Sequence, residues 1–344
     1  MKKHPLIELI SIDCYSATPK YLQIANSILS AIGKGAMAKD EVLPSINELS
    51  FESDISRDTA EKGYKYLKKI GILDSVPGKG YFIKNTSINA YPNILLLANK
   101  LNAHKKLIYD SLVASLDEKV FIDFFVYNND YNYFKKLLQN NNQNYTHYVI
   151  IPHFMEGSEK IHELINTVIP SQKLIVVDKP ILGLEGQYGA VCQNFKLDIY
   201  NALVKALKPL SKYQKIKIIF PQDAHHPKEI LTGLAKFCNE YSFDYEAISD
   251  LSDEIIQQGV VYISLTENDL ISLVEKAIAS PYKVGTDVGV ISYNETPLKK
   301  IILNGITTIS TDFQLMGQKT AELIQNNSKE HIELPFYLTL RASL

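Results

Sequence analysis

Residues 56–83 read SRDTAEKGYKYLKKIGILDSVPGKGYFI, and their pattern changes from helical to extended at Gly71. Before that glycine, apolar side chains recur every three or four residues, which predicts an amphipathic helix; they are Ala60, Tyr64, Leu67 and Ile70. Gly71 is a residue type that commonly follows the last turn of a helix. The short runs 72–76 and 81–83 flank a PGKG turn and predict a hairpin with a basic tip.

Two further helices are predicted upstream of this stretch. Thr18 and Pro19 offer a hydroxyl at the N-cap and a proline at the first helical position, and apolar residues then repeat at helical spacing up to Ile32. The sequence PSINE at 44–48 predicts a capping box between Ser45 and Glu48 that begins a short second helix. Three helices followed by a hairpin is the order of a winged-helix domain.

Four segments between Pro19 and Ile83, PKYLQIANSI, LPSINELS, ISRDTAEKGYKYLKKIGIL and PGKGYF, resemble in order the DNA-binding domain of the GntR family of bacterial repressors. The resemblance implies that the helix beginning at Ser56 enters the major groove and that the wing at 78–80 reaches the minor groove of the same half-site. The chain departs from the family at Asn47, where members usually carry a basic residue.

The chemistry of these residues also fits DNA. Arg57 is one of only two arginines in the chain, and its planar fork suits guanine O6 and N7 or a phosphate. Hydroxyls at a helix N-terminus can hold phosphate oxygens, and a lysine between two glycines can enter a groove. The predicted DNA-binding residues are Ser45, Asn47, Ser56, Arg57, Thr59, Lys62, Lys79 and Gly80. The alternative interpretation is a solvated helix face with an ordinary hairpin.

Composition places the chain among soluble globular proteins of two or three units. It has 344 residues, of which 46% are hydrophobic and 22% charged, with a net charge of -2. The first 85 residues hold 12 Lys or Arg against 10 Asp or Glu, so any nucleic-acid surface must be local. No apolar run approaches the roughly 20 residues of a membrane span, and the N-terminus lacks a secretory pattern. A cytoplasmic protein without a membrane partner is expected.

Metal and cofactor sites are not predicted. Cys14, Cys192 and Cys238 lie far apart without zinc-site spacing and are expected to be reduced thiols. The pair at 225–226 is His-His, but it has no partners at metal-ligand spacing. Neither a dinucleotide fingerprint nor a P-loop follows any strand-like run.

After a polar stretch at 85–92 that predicts a linker, strand-sized apolar runs alternate with helix-length segments. The seven runs are 94–98, 120–127, 148–152, 174–177, 216–220, 260–265 and 288–292. This alternation predicts an α/β fold with two doubly wound lobes of parallel sheet. The predicted division is a winged helix-turn-helix domain at 1–84, a linker at 85–92 and a two-lobed domain at 93–344.

The closing segments VGVISYNETPL (288–298), GITTISTDFQLMGQKTAELI (305–324) and LPFYLTLRAS (334–343) resemble those of LacI/GalR-type effector domains. The resemblance implies the fold of type I periplasmic sugar-binding proteins, dimerisation, and a ligand between the lobes at the carboxyl ends of the strands. Matched residue by residue, it places Asn268, Asn294 and Phe313 against the ligand. Family members usually carry an arginine where this chain has Ile230, so the ligand chemistry should differ.

Four more residues are candidates for ligand contact because of their positions along the chain. Asp178 ends one predicted strand, Asp223 and His226 follow another, and Gln193 lies where the chain should first cross between lobes. Each has an ordinary alternative, which is a turn, a solvated loop or a hinge. For Asn268 and Asn294 the alternative is a turn residue, and for Phe313 it is core packing.

The resulting prediction is a DNA-binding transcription repressor and not an enzyme. By resemblance to arabinose and fucose regulators, its partners would be a palindromic double-stranded operator, a second copy of the chain, and a small sugar such as a pentose or deoxyhexose. Two alternatives remain open at this point. One is a GntR-type head fused to an aminotransferase-like enzyme, and the other is a DNA binder without a ligand. Whether the ligand releases or promotes DNA binding is also open.

Overall fold

A computed structural model describes residues 4–14, 16–86, 92–116, 120–140, 145–154, 160–221 and 226–344. The chain forms two compact units. The first contains the chain up to Ala190 together with residues 317–330, and the second contains residues 191–316 and 331–344. We call residues 4–86 the head. The first lobe is the rest of the first unit together with residues 191–192 and 331–333, and the second lobe is the rest of the second unit. Most of the predicted linker, residues 87–91, lies outside the described residues.

The head has the predicted order of three helices and a hairpin. The elements are α1 (Lys20–Gly33), α2 (Ile46–Glu52), α3 (Arg57–Lys69), β1 (Leu73–Val76) and β2 (Gly80–Ile83). β1 and β2 are antiparallel, with Leu73 opposite Ile83. Apolar faces of the three helices and the hairpin form one core that includes Ile24, Ile28, Leu49, Tyr64, Leu67 and Ile83. A short 3-10 helix, Pro5–Leu9, precedes these elements and was not predicted.

The first lobe is built around a mainly parallel sheet. Its elements are β3 (Asn93–Ala98), α4 (Ala103–Ser115), β4 (Phe121–Val126), α5 (Tyr131–Asn140), β5 (His147–Ile151), α6 (Ile161–Val168), β6 (Leu174–Asp178) and β7 (Gly189–Cys192). The six-stranded sheet has the order β13-β7-β6-β5-β3-β4, where β13 is His331–Glu333. β3 pairs in parallel with both β4 and β5, so β4 forms one edge of the sheet.

The second lobe repeats this arrangement. Its elements are α7 (Phe195–Lys205), α8 (Leu207–Leu210), β8 (Lys215–Ile219), α9 (Glu229–Tyr241), β9 (Asp244–Ile248), β10 (Val260–Ser264), α10 (Glu267–Ala279), β11 (Gly289–Tyr293), β12 (Thr307–Thr311) and β14 (Phe336–Thr339). The sheet order is β14-β12-β11-β10-β8-β9. α11 (Phe313–Gln325) begins in this lobe and continues into the first unit. A doubly wound α/β fold is confirmed.

Of the twelve strands that the described residues form in the two sheets, seven were predicted from the sequence, and β7, β9, β12, β13 and β14 were not. β12 reads TTIST and carries polar side chains although it is fully buried. Two of its buried hydroxyls have partners outside the strand, because Thr308 Oγ1 donates to Glu295 and Thr307 Oγ1 donates to the Arg341 carbonyl. The strand pairs within β8–β12 are parallel as predicted, and β14 adds an antiparallel strand beside β12.

The start of α1 also differs from the prediction. Pro19 is the N-cap, and the Thr18 side chain makes no capping bond. Instead Thr18 Oγ1 accepts a hydrogen bond of 2.7 Å from the Phe124 amide of β4. A hydroxyl that the sequence assigns to a helix end is therefore used to hold the head on the first lobe. Among the residues that the structure describes, no helix combines the length and apolar character needed to cross a bilayer.

His147 makes the stability of the first lobe depend on pH. It is 8% exposed at the start of β5, and its burial, aided by Lys329 and Lys173, lowers the pKa of the imidazole to about 4. Above pH 6.5 neither the folded nor the unfolded chain binds this proton, so the contribution of His147 to stability is complete. Below pH 6.5 the unfolded chain binds it first, and stability falls until the pH reaches the folded pKa.

We expect the wild type to lose about 2–3 kcal/mol between pH 7 and pH 4.5 through this one group, because one pKa unit corresponds to about 1.4 kcal/mol. The measurement is urea unfolding at both pH values for the wild type, His147→Gln and the exposed control His331→Gln. If the free energy of unfolding changes with pH as much in His147→Gln as in the wild type, the prediction is contradicted.

Candidate functional sites

The N-terminus of α3 presents Arg57 to solvent. Ser56 is the N-cap, where its hydroxyl accepts from the Thr59 amide at 3.1 Å and shares a hydrogen bond of 2.8 Å with the Thr59 hydroxyl. Arg57 is the first helical residue and is exposed. Among the described residues it takes part in no ion pair. The Arg57 guanidinium is therefore available for contacts with DNA, while the hydroxyls of Ser56 and Thr59 mainly form the helix cap.

Other basic residues of this helix are already paired. Lys62 lies 2.8 Å from Asp58, and Lys65 lies 2.8 Å from Glu61, both one turn apart. These exposed pairs reduce the positive charge of the helix face and contribute little stability. Lys62, predicted as a DNA contact, would have to exchange Asp58 for a phosphate. The structure therefore makes Arg57 the most available cation at the start of α3.

The wing has a backbone that requires glycine. Gly78 and Gly80 have φ values of 82° and 86°, in the left-handed region that side chains other than glycine rarely adopt. The Lys79 amide donates to the Val76 carbonyl at 3.0 Å and closes the turn, and the Lys79 side chain is exposed. Asn47 is exposed on α2. Ser45 forms the predicted capping box, accepting from the Glu48 amide at 3.2 Å.

A buried charge cluster lies at the carboxyl ends of the first-lobe strands. Asp178 is the last residue of β6, and its Oδ2 contacts Lys105 Nζ from α4 and His153 Nε2, at 2.8 Å, from the segment after β5. Lys105 and Asp178 are 7% and 3% exposed. Asp178 has a φ of 78°, a conformation that is costly outside glycine and that is often found at functional sites.

The cluster fixes the charge state of its members. Burial works to raise the pKa of Asp178, but Lys105 and His153 outweigh it and hold that pKa well below its ordinary value. Burial lowers the pKa of His153 despite the neighbouring carboxylate, so His153 is neutral near pH 7. His153 is therefore a neutral imidazole whose Nε2 donates a hydrogen bond to the ionised Asp178.

Further polar groups that were not predicted from the sequence follow neighbouring strands of the same sheet. Asn99, directly after β3, donates from Nδ2 to Asn129 at 2.7 Å, and its buried Oδ1 has no hydrogen-bond partner among the described residues. Tyr127 Oη donates to the Ile151 carbonyl at 2.7 Å and accepts from the His153 amide at 3.0 Å. Asp178 was a predicted site residue, whereas Lys105, His153 and Asn99 were not. For Asn99 and His153 the available signal was a position just beyond a strand end, whereas Lys105 lies within α4 and gave no such signal.

In the second lobe, predicted ligand residues follow neighbouring strands. Phe313, Asn294, Asn268 and His226 come after β12, β11, β10 and β8, which are adjacent in that order. Asn294 has a φ of 65°, and its backbone N–H donates to the Ile309 carbonyl at 2.8 Å. The buried side-chain oxygen Oδ1 of Asn294 has no hydrogen-bond partner among the described residues. The sheet order thus places these four residues beyond the carboxyl ends of adjacent strands, on the same side of the sheet.

The remaining candidates differ in their surroundings. Phe313 is 7% exposed and Asn268 is exposed near the start of α10. The His226 ring packs against Phe220, with 5.8 Å between ring centroids. Gln193 is 6% exposed and follows β7. Asp223 lies outside the described residues, so its prediction stands without a structural account.

The structure explains the departure at Ile230 and shows the contacts of Arg341, the second arginine of the chain. Ile230 is 2% exposed in the core between α9 and the sheet, so this position offers no polar contact. Arg341 donates to Glu295 at 2.9 Å and to the Ile306 carbonyl at 2.7 Å. It therefore fastens the end of the chain to the segments around β11 and β12.

Lys299 supports the segment that carries Asn294. It is 2% exposed, and its Nζ donates to the carbonyls of Tyr293 at 3.0 Å and Asn294 at 2.8 Å. Burial lowers the pKa of Lys299 to about 8. The ammonium therefore occupies the turn after β11 and stabilises its strained backbone.

Replacing Lys299 with methionine should lower the free energy of unfolding by about 1–3 kcal/mol, because two carbonyls lose a charged donor in a buried turn. Urea unfolding of Lys299→Met beside Lys300→Met measures this, since Lys300 is the exposed neighbour. Equal unfolding midpoints for the two variants would show that the buried ammonium contributes nothing.

Known proteins resemble parts of this chain. No family model matches the sequence. The uncharacterized HTH-type transcriptional regulator YurK of Bacillus subtilis is 32% identical over 107 residues, 29% of this chain and 44% of that protein. The HTH-type transcriptional repressor YtrA of Bacillus subtilis is 34% identical over 79 residues, 23% of this chain and 61% of that protein. The chain spans less than two thirds of each relative.

The arabinose metabolism transcriptional repressor of Geobacillus stearothermophilus is 38% identical over 65 residues, which are 19% of this chain and 18% of that protein. Among solved structures, the dimeric Lac repressor with an 11-residue C-terminal deletion superposes with a TM-score of 0.61 and 16% identity, covering 73% of this chain and 98% of that one. The two lobes have the LacI-family fold. The trehalose repressor of Escherichia coli also matches, with a TM-score of 0.58, 12% identity, and coverage of 72% and 99%.

Proposed function

We propose that this protein is a transcription repressor whose binding to double-stranded DNA is controlled by a small ligand. The observation that carries the proposal is the joining, in one chain, of a winged-helix head with an exposed Arg57 at the start of α3 to two lobes of LacI-family fold. The relatives are described as transcriptional regulators. This favours a regulator over an enzyme fused to a DNA-binding head.

The proposed effector is a small polyhydroxy compound, a pentose or deoxyhexose sugar. Amides such as those of Asn99, Asn268 and Asn294 offer paired donors and acceptors to hydroxyl groups. Phe313 offers an apolar ring face that suits sugar ring carbons. The names of an arabinose repressor and a trehalose repressor among the similar proteins support this ligand class.

The proposed mechanism is a shift between populations of a homodimer in the cytoplasm. Two heads hold the two half-sites of a palindromic operator, so a small change in their spacing costs much affinity. Ligand held by residues at the carboxyl ends of the strands would favour one conformation of the chain over another. The DNA-binding contacts proposed for each head are Ser45, Asn47, Ser56, Arg57, Thr59, Lys62, Lys79 and Gly80.

The experiment has two arms, both with the full chain. In the first, random duplexes are selected on the protein and the enriched sequence is compared with a scrambled duplex by fluorescence anisotropy at fixed salt. We expect a palindromic sequence that binds at least about a thousandfold tighter than the scrambled duplex. Absence of sequence-selective enrichment would overturn the DNA-binding proposal.

In the second arm, thermal melting is measured with L-arabinose, D-xylose, L-fucose and L-rhamnose, and with glycerol as the control. A ligand at one hundred times its Kd should stabilise the fold that binds it by about 2.7 kcal/mol and raise Tm accordingly. The stabilising sugar is then added to the operator complex, where we expect a change in affinity. If none of the sugars raises Tm, the sugar class is wrong.

A further inference from the structure

The segment directly before α1 pairs with the edge of the first-lobe sheet. Ser16 forms an antiparallel bridge with Phe125, and the Ala17 amide donates to the Phe124 carbonyl at 2.9 Å. Thr18 Oγ1 accepts from the Phe124 amide at 2.7 Å. Because β4 is an edge strand, this segment covers backbone groups that would otherwise lack a partner in the sheet. We call the contact of this segment and α1 with β4 the seam.

The segment is fixed to the head, so it moves with α1. The buried Gln23 of α1 accepts at Oε1 from the Asp13 amide at 2.8 Å, and its Nε2 donates to the Thr18 carbonyl at 2.7 Å. Phe121, the first residue of β4, packs in the hydrophobic core of the head. Any movement of the head relative to the first lobe therefore acts on β4.

A carboxylate of β4 receives hydrogen bonds from both sides of the seam. Asn26 Nδ2 of α1 donates to Asp123 Oδ1 at 2.7 Å, and Tyr145 Oη of the first lobe donates to Asp123 Oδ2 at 2.8 Å. Burial raises the pKa of Asp123, and the two donors oppose that rise. The bond between Asn26 and Asp123 is therefore a point at which one substitution can open the seam.

The seam is incompletely packed. Among the described residues, Phe121 is the one member of the first lobe in the core of the head. An open cavity of about 300 Å³ separates head residues such as Tyr21 and Leu22 from first-lobe residues such as Tyr109 and Val113. Side chains that line a cavity lose dispersion contacts, and parts of a chain joined by small polar contacts usually move relative to each other. The head is thus docked on β4 by contacts that can be released.

β4 leads from the seam to the carboxyl ends of the first-lobe strands. Tyr127 lies two residues beyond Phe125, about 7 Å along a strand. Its Oη accepts from the His153 amide at 3.0 Å. Asn129, in the turn that follows, accepts from Asn99 Nδ2 at 2.7 Å. One edge strand therefore has the seam along its side and part of the candidate effector site at its end.

We propose that β4 couples the docking of the head to the candidate effector site of the first lobe. With the head docked, β4 has partners along both sides; with the head released, β3 is its one neighbouring strand and the turn that contacts Asn99 loosens. Because coupling between two sites is reciprocal, a ligand at Asn99 would favour one state of the seam. The coupling rests on the proposed function for the role of Asn99, but it is measured without DNA or ligand.

Hydrogen exchange of backbone amides in the full chain, resolved by fragmentation in the mass spectrometer, reports on both ends of this connection. The seam amides are those of Ala17 and Phe124, which take part in the bonds described above. The site amides are those of Tyr127 and Asn129, which donate to the carbonyls of residues 98 and 99. Exchange of each amide measures how often its bond opens.

Asn26→Asp is the first opening variant, because it places a second carboxylate beside Asp123. At pH 8 the pair must keep two like charges together or take up a proton, and both oppose docking. We expect the seam amides to exchange at least about tenfold faster than in the wild type and the site amides at least about fivefold faster. Asn201→Asp, the same change at an exposed residue of α7, should leave all four amides unchanged.

The double variant Asn26→Asp/Asp123→Asn restores one donor and one acceptor in exchanged places, so exchange at all four amides should return to within about twofold of the wild type. Thr18→Val is the second opening variant. It removes the acceptor of the Phe124 amide and keeps the side-chain shape, with Ala17 as its seam amide. It decides the outcome if Asn26→Asp does not melt cooperatively.

Three results would overturn the proposal, whether or not the protein binds DNA. Seam amides that exchange as fast in the wild type as in the folded opening variants would show that the head is not docked in solution. Faster exchange at the seam with unchanged site amides would show that β4 does not transmit the change. A double variant that exchanges as fast as Asn26→Asp would show that the pair with Asp123 does not hold the seam.

Discussion

Lys105→Met is expected to lower the free energy of unfolding of the first lobe by about 3–5 kcal/mol, because it leaves the buried Asp178 carboxylate without its cation. Lys105 and Asp178 are 7% and 5% exposed at their side chains, so water cannot replace the lost ammonium at low cost. His153 is neutral and supplies a hydrogen bond but no charge. The measurement is urea unfolding followed by circular dichroism and tyrosine fluorescence.

The neighbouring residue provides a matched control. Lys106 pairs with Asp110 one turn along α4, but both side chains are more than half exposed, at 64% and 51%. Lys106→Met should therefore cost no more than about 0.5 kcal/mol, as exposed helical pairs do. Equal losses for the two variants would mean that the buried cluster contributes no more than a surface pair.

The double variant Lys105→Met/Asp178→Asn separates the lost ion pair from lost packing. An amide removes the uncompensated charge and tolerates the left-handed backbone at position 178, so much of the lost stability should return.

The stability of the wild type at acid pH depends on the same pair of residues. Because Asp178 has a depressed pKa, its contribution is complete above the unfolded pKa of 3.8 and is lost as the pH falls toward the folded value.

The head could be predicted from sequence because its signals are local. The capping box at Ser45 and Glu48 and the glycines of the wing depend on residues within a few positions, and the structure contains both. Thr18 shows the limit of local reasoning. Its place before Pro19 fits a helix cap, but its hydroxyl instead accepts a hydrogen bond from the Phe124 amide, more than one hundred residues away in the sequence.

The candidate site was predictable only in part for the same reason. Asp178 was predicted because it ends a strand whose apolar pattern is clear, whereas Asn294 was predicted from the resemblance to LacI/GalR-type effector domains. Lys105 reads as an ordinary solvated helix residue, and only the tertiary fold brings it to Asp178. β12 was missed because polar side chains fill a fully buried strand, in which the hydroxyls of Thr307 and Thr308 are bonded to residues outside the strand. Such pairings leave no periodic signal.

Arg57→Ala is expected to reduce the affinity of the full chain for its selected operator by about 10- to 100-fold per half-site, or about 1–3 kcal/mol. Arg57 is exposed at the first position of α3, and its neighbours Lys62 and Lys65 are already paired with carboxylates. No cation on this part of the helix is free to take its place. Fluorescence anisotropy at several salt concentrations measures both the affinity and the salt slope.

Arg57→Lys distinguishes base recognition from phosphate binding, since lysine keeps the charge but loses the planar fork. If Arg57 contacts guanine, the Arg57→Lys variant should still bind the operator weakly. Its affinity should also depend less on which base pair occupies the contacted position. A phosphate contact would instead be largely restored by lysine. Lys136→Ala, which removes one exposed charge from α5 in the first lobe, controls for net charge. Operator affinity that is equal in wild type, Arg57→Ala and Lys136→Ala would exclude α3 as the element that reads DNA.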